Sequence, residues 1–317
     1  MDSNQDLRKD PNVVSTYISY NSSNSLNNNN SGDDFIKDKS MIPLDEILPN
    51  DSQMALPPKK VRNAVEVRDV DLTYGFGIKT NVVLTGMNIT VPEGGIYALI
   101  GPSGCGKTSI LRCIMGFINP DSGRIKVFGK KPAAPRSFVP GKDLGYMPQD
   151  VALNNGLTVH EMMRYFGKIF LLPPNEVEER IDRLIDILGI PEKNRVISTL
   201  SGGQRRRVSF ACAVIHKPRL SILDEPTVGV DPLIREKIWD YLLEMTKEGK
   251  TIILTTHYIE ETRRADVIGF LRKGYLLAEE HPTRILEELQ VWSPMFESQF
   301  FLLNSLSSSR FSSKIAT

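Results

Sequence analysis

Two glycine loops constrain this chain more than any other feature. The first, Gly101-Pro102-Ser103-Gly104-Cys105-Gly106-Lys107-Thr108, fits the pattern G-x-x-x-x-G-K-T. Before it stands Gly95-Ile96-Tyr97-Ala98-Leu99-Ile100, a short apolar run that reads as a buried strand. After it, residues 108–117 read as a helix. Strand, loop and helix in that order are the context a phosphate-binding loop requires. The second loop, Leu200-Ser201-Gly202-Gly203-Gln204, follows about a hundred residues later. A lone nucleotide pocket has no need of it.

The chemistry of the first loop follows from its residue types. Glycines let backbone N–H groups converge on phosphate oxygens without obstruction by a Cβ. The helix behind the loop adds the partial positive charge of its N-terminus. The expected nucleotide-binding set is Gly101, Ser103, Gly104, Cys105, Gly106, Lys107, Thr108 and Ser109. Lys107 is expected to reach the β- and γ-phosphates, and Thr108 to hold Mg²⁺, an ion content with few protein ligands. Further on, Leu220-Ser221-Ile222-Leu223-Asp224-Glu225 is an apolar strand ending in two carboxylates. Asp224 is expected to orient Mg²⁺, and Glu225 to act as the general base that polarises the attacking water.

The order of these motifs resembles the nucleotide-binding domain of ABC (ATP-binding cassette) transporters over residues 64–285. The resemblance implies a P-loop α/β fold with a RecA-like core, an antiparallel β-subdomain and a helical subdomain at about 150–200. It implies that Tyr74, in Asp71-Leu72-Thr73-Tyr74, stacks on adenine. Gln149, in Tyr146-Met147-Pro148-Gln149, matches the Q-loop glutamine that contacts Mg²⁺ and the attacking water. Ser201, Gly202, Gly203 and Gln204 match the signature that caps the γ-phosphate held by a second copy, so that two cassettes close around shared ATP. Asp231 matches the D-loop aspartate, with Val230 where many members carry leucine. His257, in Leu254-Thr255-Thr256-His257, matches the switch histidine. No motif is degenerate, so an active Mg-ATP hydrolase is expected. Arg205-Arg206-Arg207, after the signature, is read as a solvated basic face.

The rest of the chain frames this core. Ala64 to Val70 and Asn88 to Val91 are rich in β-branched residues and read as strands, as do 220–223 and 251–255. Alternation of helix and strand around them suggests a parallel sheet. Between 176 and 189, Val177, Ile181, Leu184, Ile185 and Leu188 fall at helical spacing after the start signal Pro173-Pro174-Asn175. Residues 1–60 contain the low-complexity run 21–31 and are expected to form a disordered, passive tail, with Leu56-Pro57-Pro58-Lys59-Lys60 as the hinge into the folded domain. The stretch 286–317 is expected to be a weakly ordered tail.

Composition narrows the functional classes. Of 317 residues, Lys and Arg number 39 against 38 Asp and Glu, which gives no electrostatic footprint for nucleic acid. Cys105, Cys113 and Cys212 have neither metal-ligand spacing nor a disulfide framework, and fit a reducing compartment. No apolar run approaches the roughly 18 residues a membrane span needs, and the N-terminus lacks a secretory core. The chain itself is therefore expected to be soluble and to reach the cytoplasmic face of a membrane through a partner.

Wording such as Pro226-Thr227-Val228-Gly229-Val230-Asp231-Pro232 and Thr256-His257-Tyr258-Ile259-Glu260-Glu261 is similar to ABC-2 type exporters and to half-transporters of the G and H subfamilies. In those half-transporters six membrane helices follow the nucleotide domain. The expected partners are thus a second nucleotide-binding domain, in a homo- or heterodimer, and a transmembrane domain on another chain or missing from this one. A chromosome-organising ATPase is disfavoured, because only about ninety residues without heptads separate Lys107 from Ser201. A soluble, ribosome-associated ABC protein is the alternative reading, disfavoured by a single cassette of near-zero net charge.

Overall fold

A computed structural model of the chain describes residues 62–75 and 79–284. The tails expected at 1–60 and 286–317 lie outside the described residues. β1 (Asn63–Tyr74), β2 (Asn81–Pro92) and β4 (Ser122–Val127) form an antiparallel sheet in the order β2-β1-β4. Val65 pairs with both Val91 and Val127, and Val67 with Ile89 and Ile125, so apolar side chains stack across all three strands. β1 and β2 run well past the short segments read from the sequence, because irregularities in their register carry the pairing through polar stretches such as 68–71.

A second sheet takes β3 (Ile96–Ile100), β5 (Leu144–Met147), β6 (Leu220–Asp224), β7 (Thr251–Thr256), β8 (Val267–Arg272) and β9 (Tyr275–Glu280) in the order β5-β6-β7-β3-β8-β9. All its pairings are parallel except β8 with β9. Its inner strands are buried on both faces, as a parallel sheet requires. Along β3, Tyr97 and Leu99 join the core shared with the antiparallel sheet and α1 (Lys107–Ile114). Ile96, Ala98 and Ile100 point to the opposite core. This period of two continues in β7, where Ile253 faces the first core and Ile252 and Leu254 the second.

The second core is covered by helices. α2 (Val159–Ile169) and α3 (Pro174–Ile187) precede α4 (Gly202–Val214), and α5 (Pro232–Lys247) follows β6. Val177, Ile181 and Leu184, one face of α3, pack there beside Met162 and Met163 of α2. Pro174 sits at the first position of α3, where its missing N–H costs nothing. α1 ends at Ile114, short of the residue read from sequence. Its last carbonyls are closed by Gly116 N–H donating to Cys113 and Phe117 N–H to Arg112, a Schellman arrangement. The three cysteines are buried and unpaired. No helix among the described residues is long and apolar enough to cross a membrane.

Candidate functional site

The parallel strands all deliver their C-terminal ends to one edge of the sheet, where α/β proteins place ligands. β3 runs into the loop 101–106, β6 ends in Asp224 and Glu225, and β7 ends just before His257. Gln149 lies two residues beyond β5. Sheet order therefore brings together four groups that are far apart in sequence. Gly106 caps α1 with φ of +108°, and a Cβ there would come within 3.0 Å of the Val83 carbonyl and 2.8 Å of the Leu84 side chain. Only glycine takes that turn without strain.

Lys107 is 6% exposed, and its Nζ donates to the carbonyls of Gly101 at 2.8 Å and Pro102 at 3.2 Å. The ammonium is thus folded back over its own loop, held by neutral acceptors. Thr108 Oγ1 donates to Asp224 Oδ2 at 2.8 Å, and Thr255 Oγ1 donates to Asp224 Oδ1 at 2.6 Å. The Thr255 hydroxyl in turn accepts the Glu225 N–H at 2.8 Å. Glu225 is buried, and its backbone sits at φ +55°, an unfavourable region for a residue with a side chain. Its two carboxylate oxygens are both engaged: His257 Nε2 lies 2.7 Å from Oε1, and Gln149 Nε2 donates to Oε2 at 3.3 Å. With Glu225 ionised its carboxylate only accepts, and this bond then calls for the imidazole N–H on Nε2.

Tyr74, Ser103, Gly104, Ser109, Gln149 and Glu225 line one open cleft with Lys107 and Thr108. Tyr74 is 39% exposed there, its hydroxyl 3.5 Å from Ser109 Oγ. Cys105 is buried beneath the loop, and burial raises its thiol pKa. The oxygen donors of Thr108 and Asp224, side by side at the loop, fit a hard cation such as Mg²⁺. The loop N-terminal to α1 fits a polyphosphate.

The second glycine loop stands apart from this cleft. Ser201 caps α4: its Oγ accepts the Gln204 N–H at 3.2 Å, and Gln204 Oε1 accepts the Ser201 N–H at 2.9 Å, a capping box. Ser201 and Gly202 are exposed. Gly203 passes so close to Gly229 that a Cβ would meet its carbonyl oxygen at 2.6 Å. Asp231 caps α5 by accepting the Leu233 N–H at 2.9 Å.

Sequence reasoning misplaced one element and missed others. The basic run is not a solvated face. Arg206 is only 9% exposed and donates to the carbonyls of Gln149 (2.7 Å), Asp224 (2.9 Å) and Glu225 (2.9 Å). Arg207 is half-buried and donates to the carbonyls of Leu188 and Gly189 at 2.5 and 2.8 Å. Those carbonyls, left over where α3 and the strands end, are the acceptors that draw the guanidinium groups inward. Glu261 was missed as well. It is buried, accepts from Thr227 (2.8 Å) and Thr256 (3.1 Å), and pairs with Arg235 at 3.2 Å. Burial raises its pKa. Its place, four residues after His257, was the available signal.

Fold and site together define a P-loop nucleotide-binding cassette. Residues 84–228 match the family model described as ABC transporter. The chain is 37% identical over 227 residues to the Nod factor export ATP-binding protein I of Rhizobium sp. (strain N33), covering 71% of this chain and 73% of that protein. It is 45% identical over 227 residues to ABC transporter G family member 23 of Dictyostelium discoideum. That match covers 71% of this chain and 32% of the relative, so the chain spans about a third of that protein's length. Among solved structures, the ATP-binding subunit of an ABC transporter superposes with a TM-score of 0.66 at 25% identity, covering 76% of this chain and 99% of that one. A dimeric ATP-binding cassette in a post-hydrolysis state with ADP and Pi gives 0.63 at 27% identity, covering 69% and 98%. The chain belongs to the ABC transporter family, and is an ATP-binding cassette of the ABC ATPase type.

Proposed function

We propose that this cassette hydrolyses Mg-ATP to drive export through a transmembrane partner, working as one of two cassettes that close head-to-tail on ATP. The observation that carries the reading is the convergence of Thr108, Asp224, Glu225, Gln149 and His257 at one sheet edge beside the Lys107 loop. Lys107, already desolvated, exchanges two neutral carbonyls for phosphate oxygens, a stronger charge-assisted bond. Tyr74 offers its exposed ring to the adenine. Thr108 and Asp224 would hold Mg²⁺, which when bound neutralises phosphate charge. Glu225 accepts a proton from the attacking water, while His257 and Gln149 leave its carboxylate to orient that water and the γ-phosphate. Ser201, Gly202, Gly203 and Gln204 present N–H donors at the start of α4 to the ATP of the opposing cassette, beside its Asp231. The proposed dimer is isologous, with identical or different partners.

The outward direction rests on the export function in the names of relatives such as the Nod factor proteins. The partner is proposed to dock on residues 150–172, placing this cassette at the cytoplasmic face. Val151, Tyr165, Ile169 and Leu171 are exposed apolar side chains there, Leu171 at 89%. Glu161, in the same stretch, is occupied in a capping box with Thr158 and is a poor probe of docking. The test is native fractionation with mass spectrometry of co-migrating proteins, on wild type and Leu171→Asp. A multi-span protein that co-migrates with wild type and is lost from the variant supports the reading. Migration without a membrane protein sinks it.

A further inference from the structure

Arg206 belongs to the helix that starts at the signature loop, yet its guanidinium lies buried behind the other half of the site. Nη1 donates to the Gln149 carbonyl at 2.7 Å, Nη2 to that of Asp224 at 2.9 Å, and Nε to that of Glu225 at 2.9 Å. It forms no ion pair with a carboxylate among the described residues; its hydrogen bonds all go to backbone carbonyls. Gln149 and Glu225 lie just past the ends of the neighbouring strands β5 and β6, and Asp224 is the last residue of β6, so the three carbonyls sit where the ladder runs out of donors. Burial lowers its pKa, while the charges of Glu225, Asp224 and Asp150 oppose that loss. A planar fork spreads five donors over three nitrogens in fixed directions and so meets three separated carbonyls at once; a lysine's three donors all radiate from a single nitrogen.

The consequence concerns side chains that Arg206 never touches. Glu225 is held at φ +55° and keeps that backbone only while its surroundings over-determine it. Its N–H is fixed by Thr255 and its carbonyl by Arg206. Gln149 has its carbonyl on the same guanidinium and its amide 3.3 Å from the Glu225 carboxylate. We propose that Arg206 is a positioning residue: it locks the Gln149 and Glu225 backbones to the signature helix, so that their side chains aim correctly only when that helix is seated. Movement of α4 is thereby transmitted to the general base and to the glutamine through one buried side chain.

The proposal rests on the ATPase reading for its kinetic arm and is independent of it for its structural arm. Full-length Arg206→Lys and Arg206→Met proteins are compared with wild type, with Arg205→Lys as the neighbouring control. In both Arg206 variants, kcat for Mg-ATP should fall about tenfold or more, with KM within about threefold, as expected for a misaimed catalytic group. Arg205→Lys should keep both constants. Amide hydrogen exchange should quicken in peptides covering 147–151 and 224–228 but not in one covering 101–108. Unchanged kcat and unchanged exchange in Arg206→Lys overturn the proposal. So does a loss of kcat matched by an equal loss of folded protein or by general exchange. A wild type without turnover defeats the ATPase reading alone, and exchange at the two segments still decides for or against Arg206.

Discussion

The chain carries two glycine loops, each at the N-terminus of an α-helix, and they are built in opposite ways. The loop at 101–106 is braced by its own chain, although Ser103 and Gly104 face the open cleft: Lys107 is buried against it, and Thr108 is tied through Asp224 to Thr255. The loop at 201–204 has an exposed start, and its bonds close within four residues as a capping box. The first is the proposed anion site, and the groups around it follow the ends of β3, β5, β6 and β7. The second is a helix end whose donors face outward. On the proposed reading, similar local sequence thus yields a finished half-site in one place and an unfinished one in the other; the difference lies in which strands end beside the loop.

The sharpest test of the finished half is Glu225→Gln. The amide keeps the shape and loses the base, so turnover should fall by about 10²–10⁴-fold while nucleotide affinity holds. The ATP-bound dimer should accumulate on size exclusion. Turnover at the wild-type rate would reassign the base. The outward half is tested by Ser201→Arg, which places a bulky cation on an exposed position. Binding of ATP to the monomer should be unaffected, whereas turnover should drop by roughly 10²-fold, the usual cost of losing a donor to developing charge. If monomer binding is lost instead, the second loop belongs to its own chain's pocket and the contrast collapses.

A pH test separates how the two halves are anchored. His216, just past the C-terminus of α4, stacks on Phe170 at 3.6 Å and meets the Leu144 carbonyl at 3.1 Å. Burial pushes its pKa down to about 4. The unfolded chain, with an ordinary histidine near 6.5, binds more protons between those values. Stability is therefore full above about pH 6.5 and is lost as pH falls toward 4. The full shift would be worth on the order of 3 kcal/mol; partial exposure of the ring reduces that to about 2 kcal/mol. Urea midpoints of wild type and His216→Gln, compared across pH 4–7, should converge at low pH. Parallel curves would remove His216 from the anchoring of α4.

What could be read from the sequence divides along the same line. The loop 101–108, the strand ending in Asp224 and Glu225, and the signature are contiguous motifs whose residue types dictate their local geometry. The assembly that makes them a site is not contiguous. Arg206 looked like surface charge because a run of three arginines on a helix normally is; only the carbonyls left over where β5 and β6 end draw it inside. Thr255 and Glu261 carry no motif of their own and act through pairings that sheet order creates. β4, β8 and β9 are no shorter than β3, β6 and β7, which were read; they and β5 were missed because glycine or charged residues break up their apolar runs (SGRIKV, LGYM, VIGFLR, YLLAEE). α3, by contrast, lay within two residues of its expected ends, since its apolar period and flanking proline are local signals.

The smallest expected effect gives the cleanest comparison, because the molecule contains the same device twice. Thr158 with Glu161 and Ser201 with Gln204 are both capping boxes, with side-chain oxygens accepting at 3.2 Å in each case. As caps they are interchangeable: Thr158→Ala and Ser201→Ala should each cost about 1 kcal/mol of stability, read as similar shifts in the denaturation midpoint. As functional groups they differ. Thr158 opens α2, away from the cleft, so its loss should leave ATP turnover at the wild-type level once the folded fraction is accounted for. Ser201 opens α4 toward the proposed second cassette, so the same loss of one hydroxyl should also lower turnover, and more at low protein concentration, where the dimer is scarce. Equal turnover in the two variants would mean that Ser201 is only a cap, and that recognition of the opposing nucleotide resides in the backbone N–H groups of Gly202 and Gly203.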